Sequence, residues 1–187
     1  MGYGAFHEIA ANYYFEGEDV QIVHRDTFKD MFHTLNNGYS ELGIAAIENS
    51  IAGSILPNYN YLKDTEMVII GEIYLRIQQN LVALPGKRPE DLKEVYSHPM
   101  AILQCQEFFD QYPHIRLMES PDTALSAREI ADKSLEDTGA IASHLAAGMY
   151  GLDILAESIE TNKKNYTRFV ILGPQKEAAK IAHPNKA

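Results

Sequence analysis

Four short stretches join small hydrogen-bonding side chains to the start of a helical pattern: Asn49-Ser50, Ser97-His98, Thr123 and Ser143. Each follows a β-like run. A helix N-terminus presents unbonded N–H groups and partial positive charge, so it can hold an anion without a basic side chain. Ligands of open α/β sheets gather at the C-terminal ends of strands. Several such ends facing one cleft would suit a small carboxylate. Each of these residues is also a preferred helix cap, and taken singly it is read first as that. Other constellations carry less. Gly2-Tyr3-Gly4 follows no strand, so a dinucleotide fingerprint is unsupported. The seven histidines show no metal-ligand spacing, and no metal is expected. Cys105 shares a predicted helix with His98 and has no strained elbow to expose it. It reads as a buried apolar filler rather than a nucleophile.

Short β-like runs alternating with amphipathic helices must position these loops. Asp19–Val23 reads as a strand, and Thr27 with Asp30 reads as a cap for a helix bearing Phe28, Met31, Phe32 and Leu35 on one face. The apolar run Gly43–Ile47 suits a strand covered on both faces, and Pro57 suits the first turn of the next helix. Met67–Ile77 and Asn80–Leu84 are β-rich. Strands at Glu94–Tyr96, Ile115–Met118, Gly139–Ala142 and Phe169–Leu172 alternate with helices opening near Pro99, Ala124 and Ser143, and Ile154–Leu155 adds a short strand. Glu157–Asn165 reads as a polar linker, and residues after Gly173 as a solvated tail. This order predicts an α/β fold of two α/β lobes with mostly parallel sheets. Residues 1–73 and 166–187 form the first lobe, and 74–165 a second lobe inserted in it, joined by two crossings.

Composition narrows the functional classes. The 187 residues, 45% of them hydrophobic, suffice for a packed core. Sixteen basic against 26 acidic residues give a net charge of −10, which repels phosphate backbones, so nucleic acid is not an expected partner. One cysteine excludes an intrachain disulfide and suits a reducing compartment. No stretch approaches the roughly 18 apolar residues of a membrane span, and the N-terminus lacks signal-peptide regions. A cytoplasmic protein without membrane contact is expected.

Six motifs carry a resemblance. Glu48-Asn49-Ser50-Ile51-Ala52-Gly53-Ser54-Ile55 is similar to the E-N-S-x-x-G-x-V motif of the prephenate dehydratases. Ser97-His98-Pro99, continuing to Gln104-Cys105, resembles that family's S-H-P-x-A-x-x-Q-C, and Asp122-Thr123-Ala124-Leu125-Ser126-Ala127 its S-T-A-x-A region. Ala146-Ala147 through Gly151-Leu152, then Asn165-Tyr166-Thr167-Arg168-Phe169, resemble A-A-x-x-Y-G-L and N-x-T-R-F. Gly4-Ala5-Phe6 is similar to the family's N-terminal G-[AT]-[FY]. The motifs occur in family order over nearly the whole chain.

The resemblance implies two α/β lobes like those of periplasmic binding proteins, with the ligand cleft between them. It implies conversion of prephenate to phenylpyruvate, carbon dioxide and water in phenylalanine synthesis, with no cofactor. It gives Thr167 the role of donor to the departing hydroxyl, with Glu48 either orienting the neighbouring loop or competing as the acid. Substrate contacts fall to Asn49, Ser50, Gly53, Ser97, His98, Gln104, Thr123, Arg168 and Phe169. Arg168 could equally form a structural ion pair, and for Phe169, as for Phe6, core packing is the better reading than a wall for the ring. Family resemblance also suggests a homodimer. Arogenate dehydratase is the near alternative, and a non-catalytic small-anion-binding module of the same architecture the distant one. The chain begins inside the glycine motif, so the family's preceding strand is expected to be absent, and His7 stands where the family often has Ser or Thr. No G-A-L or E-S-R-P motif of an ACT regulatory domain follows Phe169.

Overall fold

A computed structural model describes residues 2–178. The elements run α1 (Phe6–Tyr14), α2 (Phe28–Asn36), β1 (Gly43–Asn49), β2 (Gly53–Ser54), α3 (Leu56–Lys63), β3 (Val68–Arg76), β4 (Asn80–Ala83) and β5 (Glu94–Ser97). They continue with α4 (Pro99–Phe109), β6 (Arg116–Glu119), α5 (Thr123–Lys133), β7 (Thr138–Ala142), α6 (His144–Tyr150), β8 (Asp153–Ala156), β9 (Tyr166–Gly173) and α7 (Gln175–Ala178). The chain divides into two compact units, one of residues 2–9 with Gln78–Lys164, the other of residues 10–77 with 165–178.

The discontinuous 10–77/165–178 unit is built on a four-stranded sheet of order β2-β1-β9-β3. Its interior strand β9 is an apolar run buried on both faces from Phe169 to Gly173. Val170 and Leu172 pack with Ala45, Ile47, Phe32 and Leu35. On the opposite face, Ile171 pairs with Gly71, whose missing side chain admits the Tyr14 ring of α1. Helix α2 starts where the sequence places it, with the Asp30 N–H donating to Thr27 Oγ1 at 3.1 Å. Pro57 lies in the first turn of α3.

The other unit carries a five-stranded sheet of order β6-β5-β7-β4-β8. Side chains alternate along its strands. Val82, Ala140 and Ala142 face α5 and α6, packing on Ala124, Ala127 and Ala146. Leu81, Val95 and Ile141 face α4, packing on Ala101, Cys105 and Phe109.

Several expectations change. The sheets are mixed rather than mostly parallel: among the described residues only β5–β6 and β5–β7 are parallel ladders. The other ladders are those of β4 and β9, which the chain enters directly from the other unit, and the β1–β2 hairpin. Neither β4 nor β9 is reached by the helical crossover that a parallel neighbour needs. Residues 19–23 form no strand, because a β-type composition without a ladder partner leaves the backbone to water. Val20 and Val23 are accordingly 40% and 47% exposed.

Residues 2–9 do not group with residues 10–73, because Gly4 and Tyr3 are bonded to the other unit. The Gly4 carbonyl accepts from Ser143 Oγ at 2.6 Å, and the Tyr3 carbonyl from the Tyr150 hydroxyl at 2.9 Å. The chain therefore passes between units three times: within α1, at 77–78 and at 164–165. The presumed linker is partly core, with Ile159, Glu160 and Asn165 buried, and the Glu160 carboxylate accepts from the Gln79 N–H at 2.9 Å. Beyond Gly173 the chain forms α7, while residues 179–187 of the expected tail lie outside the described residues. No helix among the described residues is long and apolar enough to cross a membrane.

Candidate functional site

The residues singled out by sequence fall into two groups, one in each unit. In the four-stranded unit, β1 ends and β9 begins side by side, with Asn49 opposite Thr167 and Leu75 flanking Thr167 from β3. Thr167 is 8% exposed, and its Oγ1 accepts from Asn49 Nδ2 at 3.0 Å. The same Nδ2 donates to Asn165 Oδ1 at 2.8 Å. Asn49 Oδ1 accepts from the N–H groups of Ile51 and Ala52 at 3.0 and 2.9 Å. Two donors and two lone pairs are all that an amide side chain has. Asn49, expected to bind substrate, instead has its capacity committed to the loop and to Thr167. Ser50 exchanges bonds with Tyr166: its N–H donates to the Tyr166 carbonyl at 2.8 Å, and its Oγ accepts from the Tyr166 N–H at 2.9 Å. Gly53 pairs with Asn49 at φ +78° and is surrounded by open space, so its contribution is the backbone turn of this hairpin.

Strand alternation separates Thr167 from its neighbour in sequence. Arg168 projects from the other face of β9, in register with Glu48 on β1 and Tyr74 on β3. Its Nε and Nη2 donate to one oxygen of Glu72 at 2.8 and 2.6 Å, Glu48 lies 3.8 Å from Nη1, and the guanidinium carbon stands 5.9 Å from the Tyr74 ring centroid. The hydrogen bond to Glu72 raises the guanidinium pKa further, so the charge is permanent. Of the two alternatives for Arg168, the ion pair is the one seen. Glu48 belongs to that ion-pair face, and register places it away from the Thr167 hydroxyl. Phe169 returns to the Thr167 face but is 1% exposed, a core residue rather than a wall of the site.

The second group lies at strand ends of the five-stranded unit. Ser97 is fully buried and donates to the Ile141 carbonyl at 2.8 Å. His98 caps α4, its Nδ1 accepting from the Met100 N–H at 3.2 Å. Thr123 opens α5 behind Asp122, whose Oδ1 accepts from the N–H groups of Ala124 and Leu125 at 2.9 and 3.0 Å. Ser143 caps α6 by accepting from the Ala146 N–H at 3.0 Å. Each of these helix ends therefore carries its own cap, which takes part of the terminal N–H set, and that of α5 already holds a carboxylate. The caps leave fewer N–H groups open to an anion than uncapped termini would. The Thr123 hydroxyl has no partner among the described residues. Gln104 is half-buried on α4, and its carbonyl accepts from the Thr161 N–H at 2.8 Å. Beside it Cys105 is buried, which pushes its thiol up to about 12. Such a thiol is not a nucleophile.

Sequence reading left one participant without a role. Asn165 was grouped with a polar linker, yet it is fully buried against the Asn49 amide. The signal was its place two residues before Thr167, the spacing that puts side chains on one face of a strand.

Comparison with known proteins gives the family. The family model for prephenate dehydratase matches residues 2–177. Arogenate dehydratase 1 of Petunia hybrida is 36% identical over 98% of this chain, which covers 43% of that protein. The bifunctional chorismate mutase/prephenate dehydratase of Buchnera aphidicola is 29% identical over 98% of this chain and 48% of its own length. A solved structure of prephenate dehydratase from Arthrobacter aurescens, in complex with L-Phe, superposes with a TM-score of 0.86 at 26% identity, covering all of this chain and 61% of that one. The chain thus spans less than half the length of these two curated relatives. With a family model matched from residue 2 to residue 177 and the same fold in a solved member, this chain belongs to the prephenate dehydratase family.

Proposed function

We propose that this chain catalyses the decarboxylative dehydration of prephenate to phenylpyruvate, carbon dioxide and water. The observation that carries the reading is the Thr167 hydroxyl. Nearly buried, it accepts a hydrogen bond from Asn49, and its own proton has no acceptor among the described residues. Prephenate is a dianion bearing a ring carboxylate, a pyruvyl carboxylate and a ring hydroxyl. The C–CO₂ bond breaks, its electron pair aromatises the ring, and the C–O bond opposite breaks as the hydroxyl departs. One proton turns that departing oxygen into water. Thr167 supplies it and recovers it from solvent, because aromatisation provides the driving force and a positioned donor suffices. A free threonine hydroxyl is too weak an acid to do more. Thr123, Gln104 and Ser50 are assigned to the carboxylates and carbonyl. Arg168 and Glu48 are assigned to sheet stability.

The relatives at 36% identity that act on arogenate support a second substrate, the aminated analogue. The chemistry at the ring is the same, so Thr167 keeps its role. A homodimer in the cytoplasm completes the reading. The test is purified protein incubated separately with prephenate and with arogenate at neutral pH, following phenylpyruvate and phenylalanine. Thr167→Ala should lower kcat by about 10²–10⁴-fold with KM little changed. Near wild-type kcat in that variant would remove Thr167 from the chemistry, and no product from either substrate would overturn the reading.

A further inference from the structure

We infer that Asn165 is a positioning residue that orients the Thr167 hydroxyl through the side-chain amide of Asn49. The inference rests on the reading of Thr167 as proton donor. Asn165 is fully buried where β3 ends and β9 begins, and its carbonyl accepts from the Ile77 N–H at 2.8 Å. Its side-chain Oδ1 takes one of the two hydrogens of Asn49 Nδ2. The other hydrogen points at Thr167 Oγ1, at 3.0 Å. The amide is planar, so once Asn49 Oδ1 is held by Ile51 and Ala52 and one N–H is held by Asn165, the direction of the remaining N–H is set. The Thr167 oxygen then has a lone pair occupied from the Asn49 side, and its O–H is directed elsewhere. Accepting a hydrogen bond also polarises that O–H as a donor.

Removing the Asn165 acceptor leaves a part-buried N–H unsatisfied. The Asn49 amide then rotates about its last torsion to find another partner, and Thr167 loses its fixed orientation. The Oδ1 contacts to Ile51 and Ala52 survive small rotations, so the loop stays in place while the hydroxyl does not. Asn165 never touches substrate in this account. Its effect falls on the transition state and leaves binding alone.

The experiment compares Asn165→Leu and Asn165→Asp in the full chain. Asn165→Leu should lower kcat by about 10- to 100-fold with KM within about 2-fold, the cost of a slightly misplaced reacting group. Asn165→Asp keeps an oxygen facing Asn49 and should recover kcat to within about 5-fold of wild type. Should Asn165→Leu fail to fold, Asn165→Ser replaces it, since its hydroxyl is too short to reach Asn49. A second readout needs no turnover: the two side-chain N–H resonances of Asn49, assigned by their loss in Asn49→Ser. Both should be shifted and slowly exchanging in wild type and in Asn165→Asp, and one should move upfield and exchange faster in Asn165→Leu. Unchanged kcat and unchanged Asn49 resonances in the leucine or serine variant would overturn the role of Asn165. A wild-type protein inert to both substrates would overturn the functional reading while the resonances still decide the Asn165 contact.

Discussion

Two adjacent residues of one strand have different work because a strand turns each successive side chain to the other face. Thr167 looks towards Asn49 and Asn165, and Arg168 towards Glu72, Glu48 and Tyr74. The Arg168 pair is half-exposed, so it contributes no more than about 1 kcal/mol. Arg168→Leu should therefore lower Tm slightly and leave KM for prephenate within about 3-fold by ordinary salt-bridge magnitudes. A tenfold rise in KM would instead put the guanidinium on a substrate carboxylate. Cys105 offers a check on the five-stranded unit. With its thiol pushed up to about 12, it should react with a thiol reagent at pH 8 about 10³-fold more slowly in the folded protein than in urea. Rapid labelling without denaturant would mean that α4 is not packed as described.

Elements whose boundaries are written in local chemistry were legible before the fold was seen. Thr27 with Asp30, Pro57, Ser143 and Gly151 mark helix ends by capping and turn rules that act within a few residues, and the helices start or stop there. The apolar runs Gly43–Ile47 and Phe169–Leu172 mark β1 and β9 because such runs are stable only when covered, while the polar ends of both strands go beyond them. What was not legible depends on partners distant in sequence. Residues 19–23 have strand composition and no ladder, and the direction of β9 is set by its neighbours β1 and β3 rather than by its own residues. The candidate site shows the same division: a motif singles out Thr167, whereas the use of Asn49, Ser97 and Ser143 as internal partners depends on groups distant in sequence. No helix is expected from the sequence over α1, yet its lead-in is tightly specified. Gly4 has φ +83°, and a Cβ there would lie 2.7 Å from the Ala146 Cα on α6. Gly4→Ala should lower unfolding stability by about 1–3 kcal/mol, the cost of a side chain at such a backbone angle, with the backbone contact adding to it. A chemical-denaturation midpoint equal to wild type would show that this segment is not bound to α6 in solution.

The whole molecule carries a net charge of −10 and, in the proposed reaction, must accept a dianion. Helix ends occupied by their own caps supply less attraction than open ones, so hydrogen bonds and local geometry must hold the substrate against a repelling surface. Added salt screens exposed charge over roughly 8–10 Å and weakens that repulsion first. KM for prephenate should stay level or fall modestly, by about 2-fold, between about 20 and 200 mM salt. A several-fold rise would mean that long-range basic steering brings the substrate in. One consequence of the topology belongs to the ribosome rather than to the finished protein. Strand β9 is an interior strand of its sheet, yet it is made after the other three, about 90 residues after β3. At translation rates of about 5–20 residues per second, β1 and β3 wait roughly 5–20 s with the edges meant for β9 unfilled, while the inserted segment Gln78–Lys164 is already complete. A chain released at Lys164 should show hydrogen-exchange protection across β4–β8 and none across β1 and β3. The nascent protein would then spend those seconds as a folded bead trailing an adhesive, half-made sheet, a natural client for whatever chaperone meets it at the exit tunnel.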